Sequence, residues 1–236
     1  IQYSVEDCFM MAGGALHEGR VDNRILSDYL DLIDPFFDIY IRFRRSWLSI
    51  INYIQRISHV PKGTPVNLHA HGAYTVKGKR GSRISANEDA LLAFESIGFI
   101  HSLKIIDGEY VSFIFRDEWV RKWLRDVGSV LELYVYKAFL DSGIFNDVIT
   151  SAIVDWEGEF RHDDVTNELD VMAVCGIVPV FVSCKTCEIS TEALNELAIL
   201  RDRFGGNIAK AVIVTTRHCR AITRHRAAEL NINVID

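Results

Sequence analysis

The order of apolar runs in the second half of the chain constrains the fold most. Three β-rich stretches follow one another, near Val148–Trp156, Glu168–Cys175 and Val180–Lys185, the last two separated by a turn at 176–179. Runs this short and this rich in valine and isoleucine read as strands, and strands joined by hairpins pair antiparallel. After Lys185 the hydrophobic period lengthens. A helix from about Ser190 to Phe204 leads to a strand Ala211–Thr215, a helix near Arg220–Leu230 and a last strand Ile232–Ile235. A helix from Glu118 to about Asp141, interrupted near Gly128, precedes them all. The order α-β-β-β-α-β-α-β implies a mixed sheet flanked by helices, an α/β fold.

Before Asp117 the pattern is mostly helical. One helix is expected across Arg24–Asp34 and a second from near Pro35, carrying Phe36, Ile39, Tyr40, Phe43, Trp47 and Ile51 on one apolar face. Prolines and glycines from Pro61 to Gly81 read as a loop or irregular hairpin. A short helix Asn87–Ile97 stops at Gly98, and Phe99–Ile106 and Tyr110–Phe115 flank Asp107-Gly108, a strong hairpin signal. Helix followed by hairpin is how a winged helix-turn-helix ends. The chain is therefore expected to divide into a helical and winged-helix-like portion, 1–116, and an α/β domain, 117–236.

At 236 residues either part is large enough to bury a core. No window holds 18 consecutive apolar residues, and no signal-peptide pattern opens the chain, so no membrane partner is expected. Five scattered cysteines, an odd number, argue for reduced thiols and a cytoplasmic location. The net charge of −6 hides two basic stretches. Lys62, Lys77, Lys79, Arg80 and Arg83 stand without an acid between Val60 and Ser85, and Arg217, Arg220, Arg224 and Arg226 do so between 217 and 226. Local charge is what a polyanion meets, so Lys77, Lys79, Arg80, Arg217, Arg220 and Arg224 are candidate contacts for DNA or RNA.

The chemistry concentrates in Asn167-Glu168-Leu169-Asp170 and Ser183-Cys184-Lys185-Thr186. Residues two apart on a strand share a face, so Glu168 points with Asp170 and Ser183 with Lys185. A turn centred near Ile177–Val178 sets Asp170 across from Cys184 or Lys185. If the register favours Lys185, two carboxylates and an ammonium converge on one face and offer hard oxygen ligands for Mg²⁺ or Mn²⁺, beside a group able to orient a water.

This pattern resembles the PD-(D/E)XK nuclease superfamily. Together with Leu131-Glu132-Leu133-Tyr134-Val135-Tyr136 and Arg203-Phe204-Gly205-Gly206, it is more closely similar to the C-terminal nuclease part of the Card/Can-type CRISPR ancillary nucleases, over about Asp117–Asp236. The resemblance implies metal-dependent endonuclease activity on DNA and/or RNA, with Glu132, Asp170 and Lys185 catalytic. It also implies metal held by Glu132, Glu168, Asp170 and the Cys184 carbonyl. Relatives of this kind carry a CARF domain that senses cyclic oligoadenylate. The resemblance does not cover one here, so a CARF domain upstream of this chain, ligand control through it, and a homodimer are expectations. Ser183 stands where the superfamily often has Glu or Asp, which leaves a catalytically degenerate nucleic-acid-binding or regulatory module as the alternative.

Each signal also has a bland reading. Ser129-x-x-Glu132 is a capping box as well as a ligand position. Asp170 and Lys185 can form a structural ion pair. Cys184-x-x-Cys187 lacks two further zinc ligands unless Cys175 and Cys219 join it, and His69-Ala70-His71 has no neighbouring acid.

Overall fold

The computed structural model describes residues 2–16, 26–61, 63–78, 81–156 and 166–236. The chain forms two compact units, one of Ile1–Leu30 with Leu131–Asp236 and one of Asp31–Val130.

The first unit is built on a six-stranded sheet. In chain order its elements are α1 (Val5–Met11) and β1 (Ala15–Leu16), then, beyond the second unit, β7 (Asp147–Asp155), β8 (Thr166–Cys175) and β9 (Val178–Lys185). An α-helix at Thr191–Gly205, strand β10 (Lys210–Thr215), a helix at Ala221–Glu229 and strand β11 (Ile232–Ile235) follow. The strand order is β1-β7-β8-β9-β10-β11. Pairing is antiparallel from β1 to β9 and parallel from β9 to β11, as hairpin-joined strands followed by helical crossovers require. Ile149, Met172, Val174, Phe181, Ala211 and Ile213 from the sheet pack with Leu194, Leu197, Leu200 and Phe204 from Thr191–Gly205.

Val5, Cys8 and Phe9 of α1 are buried in this same core. The Phe9 ring meets Phe204 edge-on at 5.0 Å and Phe181 at 6.3 Å. The expected division at 116/117 therefore differs from the compact units, because the first elements of the chain belong with the α/β sheet. The Arg203-Phe204-Gly205-Gly206 run is part of the join. Arg203 donates to the Ala12 carbonyl at 2.6 Å, and Gly206, at φ 56° and ψ −150°, ends the helix. A Cβ on Gly205 would stand 2.3 Å from the Ala209 Cβ, which explains the glycine.

The second unit holds α2 (Leu30–Phe43), α3 (Trp47–Ile57), β2 (His69–Ala73), β3 (Thr75–Lys77), β4 (Arg83–Ser85), α4 (Glu88–Ser96), β5 (Ile100–Ile106), β6 (Tyr110–Phe115) and α5 (Glu118–Trp123). Here α2 runs through Pro35 instead of restarting there, since Ile33 and Phe36 on either side continue one buried face. The apolar stripe expected to be one helix breaks between Phe43 and Trp47. The break turns Trp47 into the core, 5.3 Å edge-on from Tyr40 and 5.9 Å from Phe36. Arg24, the expected start of the first helix, lies outside the described residues.

The basic stretch from Pro61 to Gly81 contains β2 and β3, so its hairpin is regular at β3–β4, with Lys77 paired to Arg83. In β2, His69 and His71 are exposed on either side of buried Ala70, so their alternation is the period of a strand. The β5–β6 hairpin turns at Asp107 and Gly108, both at positive φ, and β2 completes a sheet in the order β2-β6-β5. The element directly before α4 is the β3–β4 hairpin, not a helix, so α4 has no helical partner immediately before it in the chain. From Ser129 to Asp141 a further helix, α6, leads back into the first unit. We number Thr191–Gly205 as α7 and Ala221–Glu229 as α8.

Candidate active site

The sheet opens at Asp170. Strands β8 and β9 pair from Cys175↔Val178 to Val171↔Val182 and no further. On the other edge of β8 the ladder passes from Thr150↔Val171 to Ala152↔Leu169, with Ser151 at φ 52°. Where β9 leaves the ladder, the Cys184 N–H needs an acceptor, and a buried unpaired N–H is costly. Asp170 Oδ2 accepts it at 2.6 Å. The same oxygen accepts from Ser183 Oγ at 3.1 Å and lies 3.5 Å from Lys185 Nζ. Oδ1 takes part in none of these contacts.

This register corrects the expected one. The hairpin loop is only Gly176-Ile177, with Gly176 at φ 64°, so continuing the pairing sets Asp170 level with Ser183, not with Cys184 or Lys185. From the Lys185 alternative the slip is two residues, which preserves the face, and Lys185 still reaches Asp170; the Cys184 alternative is off by one and would have turned Lys185 to the other face.

Glu168, Asp170, Ser183 and Lys185 line a cleft of about 50 Å³ with Glu196, Leu197 and Leu200 of α7. That space suits an ion or a few waters. Glu196 is the residue that sequence reasoning missed. It accepts from Asn167 Nδ2 at 2.9 Å, and Asn167 Oδ1 in turn accepts from Trp156 Nε1 at 2.7 Å. The available signal was its helical position, three residues after Ala193 and four before Leu200.

Glu132 is half-buried on α6 and is not among the residues lining this cleft. Its charge is nevertheless felt on β9. The Cys184 thiol is pushed well above its usual range by burial first, then by the Asp170 and Glu132 carboxylates, with Lys185 opposing. The start of α6 is capped by Asp126, whose Oδ2 accepts from the Gly128 and Ser129 N–H groups and from Ser129 Oγ. The Ser129 hydroxyl thus serves Asp126 as a donor.

Among the described residues no three His, Cys, Asp or Glu side chains are placed to share one metal ion as they stand. The donor set nevertheless fits a small hard cation. Mg²⁺ keeps several waters and needs only one or two protein carboxylates. Among the described residues Asp170 Oδ1 makes no hydrogen bond or ion pair, and in an extended strand the Cys184 C=O faces the same edge as the N–H that meets Asp170. Cys187 is exposed and Cys184 buried, and all five thiols are free, so Cys184-x-x-Cys187 forms no disulfide.

The basic residues fall out differently. Arg217 precedes α8 and Arg220 is its N-cap, so the expected single helical face is absent. Arg220 pairs with Glu188, Arg224 with Asp236, and Arg217 Nε donates to the Thr186 carbonyl. The acids missing from the local sequence come from elsewhere in the fold. Lys77 is exposed on β3, whereas Lys79 and Arg80, like Lys62, lie outside the described residues.

Residues 117–236 match the family described as Card1-like, endonuclease domain. Over 99% of its length the chain resembles the crystal structure of protein VC1899 from Vibrio cholerae, with a TM-score of 0.66 and 20% identity. It also resembles Can2 from Sulfobacillus thermosulfidooxidans, solved in complex with cyclic tetra-adenylate, with a TM-score of 0.60, 17% identity and 99% coverage. The chain spans 57% of each of those two chains. At these identities the likeness shows the fold. No curated protein matches the chain. No described helix is long and apolar enough to cross a membrane. The family match spans the helix, strands and turn that hold Glu132, Asp170 and Lys185, and it covers half of the residues: the chain belongs to the Card1-like endonuclease domain family.

Proposed function

We propose that the chain is a metal-dependent endonuclease part of a CRISPR ancillary effector, of the PD-(D/E)XK type, hydrolysing phosphodiester bonds of DNA or RNA. The observation that carries this reading is the Asp170–Lys185 pair in a cleft where Glu168 and Glu196 add two more carboxylates. One lysine does not neutralise three acids, and a divalent cation relieves the excess. Asp170 Oδ1 and the Cys184 carbonyl would hold the ion, with Glu132 and Glu168 acting directly or through water. Bound there, Mg²⁺ or Mn²⁺ supplies charge stabilisation at the phosphate and acidifies a water.

The protein's own groups do the positioning. Asp170 Oδ2 and the Cys184 N–H lock the open end of β8 to β9, fixing the direction of Oδ1. Lys185 Nζ, 3.5 Å from Asp170, is held at the cleft with protons left to orient a water or donate to a phosphate oxygen. Leu197 and Leu200 add apolar lining to the cleft. Plasmid nicking in Mn²⁺ or Mg²⁺, abolished by EDTA, tests the reading. Absence of cleavage with either metal on DNA and RNA would favour the catalytically silent nucleic-acid binder, for which Ser183 in place of a carboxylate is the supporting observation.

Ser183→Glu separates the two readings further. It adds a charged oxygen ligand where the hydroxyl now donates to Asp170. We expect about a tenfold lower metal concentration for half-maximal cleavage, read from a Mn²⁺ titration. An unchanged requirement would mean that Glu168 or Glu132 already fills that position.

Control by cyclic oligoadenylate is proposed for the larger architecture, of which this chain spans 57% in Can2. A ligand gates cleavage only by binding one state of the protein better than another. Calorimetry of the 236-residue chain with cyclic tetra-adenylate is expected to show no binding, and tight binding would place the sensor within these residues. The five free thiols support a reducing, cytoplasmic setting.

A further inference from the structure

From Ile39 to Asn87 the sequence contains no aspartate or glutamate, against nine lysines and arginines. In a chain of net charge −6 this is a strong local asymmetry. The fold gives part of it a shape. Asn52, Gln55, Arg56 and His59 recur at helical spacing along α3 and just past its end, opposite the buried Ile50, Ile54 and Ile57. They line a cavity of about 330 Å³ with Gly78 and Ile84 from the β3–β4 hairpin and with Arg125. Among the described residues no carboxylate lines it.

Arg125 and its neighbour Arg121 have no acidic partner among the described residues. Both donate to the Ser58 carbonyl, Arg125 Nη1 at 2.6 Å and Arg121 Nη2 at 3.1 Å. Two guanidinium groups thus converge on one neutral oxygen, and Arg121 Nε is buried with no hydrogen-bond partner among the described residues. Burial first, and then the charge of Arg121, hold the Arg125 guanidinium below its ordinary range. Arg56 is exposed and makes no hydrogen bond or ion pair among the described residues. A Cβ on Gly78 would stand 2.4 Å from Ser82 Oγ and 2.8 Å from Ile84 Cδ1, so any larger residue there would have to displace those side chains at the cavity wall. Half-buried Arg125, repelled by Arg121 behind it, faces the cavity beside the exposed Arg56, and an anion there relieves the repulsion, since a guanidinium matches phosphate geometry.

We propose that this cavity is a phosphate-binding site, recognising the group through Arg56, Arg125 and the amides of Asn52 and Gln55. Its natural source is the backbone of the nucleic acid that the proposed nuclease handles, an assignment that rests on that reading; the phosphate chemistry does not. A free phosphate or phosphomonoester is the other source.

The test uses the 236-residue chain in EDTA, with Arg56→Gln and Arg125→Lys singly and together. Arg56→Gln alters an exposed, unpaired side chain and so keeps the fold. One arm follows the His59 ring and arginine Nε–H resonances during titration with inorganic phosphate. The other measures oligonucleotide affinity against salt. The phosphate-induced shifts should appear in wild type and vanish in the double variant, with affinity for oligonucleotide falling about tenfold. The slope of log K against log salt should shrink by about one to two, close to one for each backbone phosphate that the variant no longer neutralises. A double variant without the phosphate-induced shifts but with unchanged oligonucleotide affinity would support the site and assign it to the free anion. If wild type binds phosphate but no oligonucleotide, even with Ca²⁺ in place of EDTA, the site stands and the nuclease reading falls. Folded variants with wild-type phosphate-induced shifts and wild-type oligonucleotide affinity would overturn the proposal.

Discussion

Asp170→Asn and Lys185→Met are each expected to lower metal-supported cleavage by about 10³-fold or more, the loss typical of removing a metal ligand or a proton-handling group. The two substitutions are chosen to spare the fold. Asparagine keeps an oxygen that can still accept the Cys184 N–H, the bond that closes the open end of the β8–β9 ladder. Methionine keeps the length of the lysine stem, and Lys185 is only half-buried at the end of β9. Both variants should therefore melt within a few degrees of the parent while losing activity. The mechanistic content lies in how they fail. Asp170→Asn should be partly rescued by raised Mn²⁺, since its defect is in holding the ion; Lys185→Met should not be, since its defect is in handling water or phosphate. Wild-type cleavage by either folded variant would remove that residue from the chemistry and return the pair to a structural role.

That pair is legible in the sequence because strand period and turn position are local properties. Glu168, Asp170, Ser183 and Lys185 share a face whichever even register the hairpin takes, so a two-residue error in the turn leaves the site undisturbed. The strands and crossover helices after Asp141 follow from the same local patterns. What stays hidden depends on contacts distant in sequence. Glu196 reaches the cleft only because α7 packs across β8 and β9, and nothing near it in the chain marks it. Arg220 and Arg224 look unopposed until Glu188 and Asp236 arrive from other elements. Pro35 suggests a helix start because its missing N–H usually sits there, but burial of Ile33 and Phe36 on one face outweighs one absent backbone bond. The role of α1 is invisible for the same reason, because its partners in the core lie more than a hundred residues away.

A chain trimmed to residues 117–236, the segment matching the family, is accordingly expected to lose cooperative unfolding, and its activity with it, although it keeps every residue proposed for catalysis. Trimming removes Val5 and Phe9, both 0% exposed. Each such side chain contributes roughly 1.5–3 kcal/mol through burial. Phe204, which packs on Phe9 and on Trp156 at 5.7 Å, would then face water on one side. Asp147 loses the Val5 N–H that it now accepts at 2.8 Å, Arg203 loses the Ala12 carbonyl, and β7 becomes an open edge once β1 is gone. Against a total stability of about 5–15 kcal/mol for a domain, these losses decide whether it folds. Phe9→Ala in the full chain isolates the largest of them and should cost roughly 3–5 kcal/mol, measured by denaturant unfolding. Adding a peptide of residues 2–16 to the trimmed chain should restore a sharp melting transition, because α1 and β1 need only dock on surfaces the sheet presents. A trimmed chain that melts cooperatively within a few degrees of the full one, without the peptide, would show that the α/β sheet is complete from residue 117 onward and that α1 is an accessory.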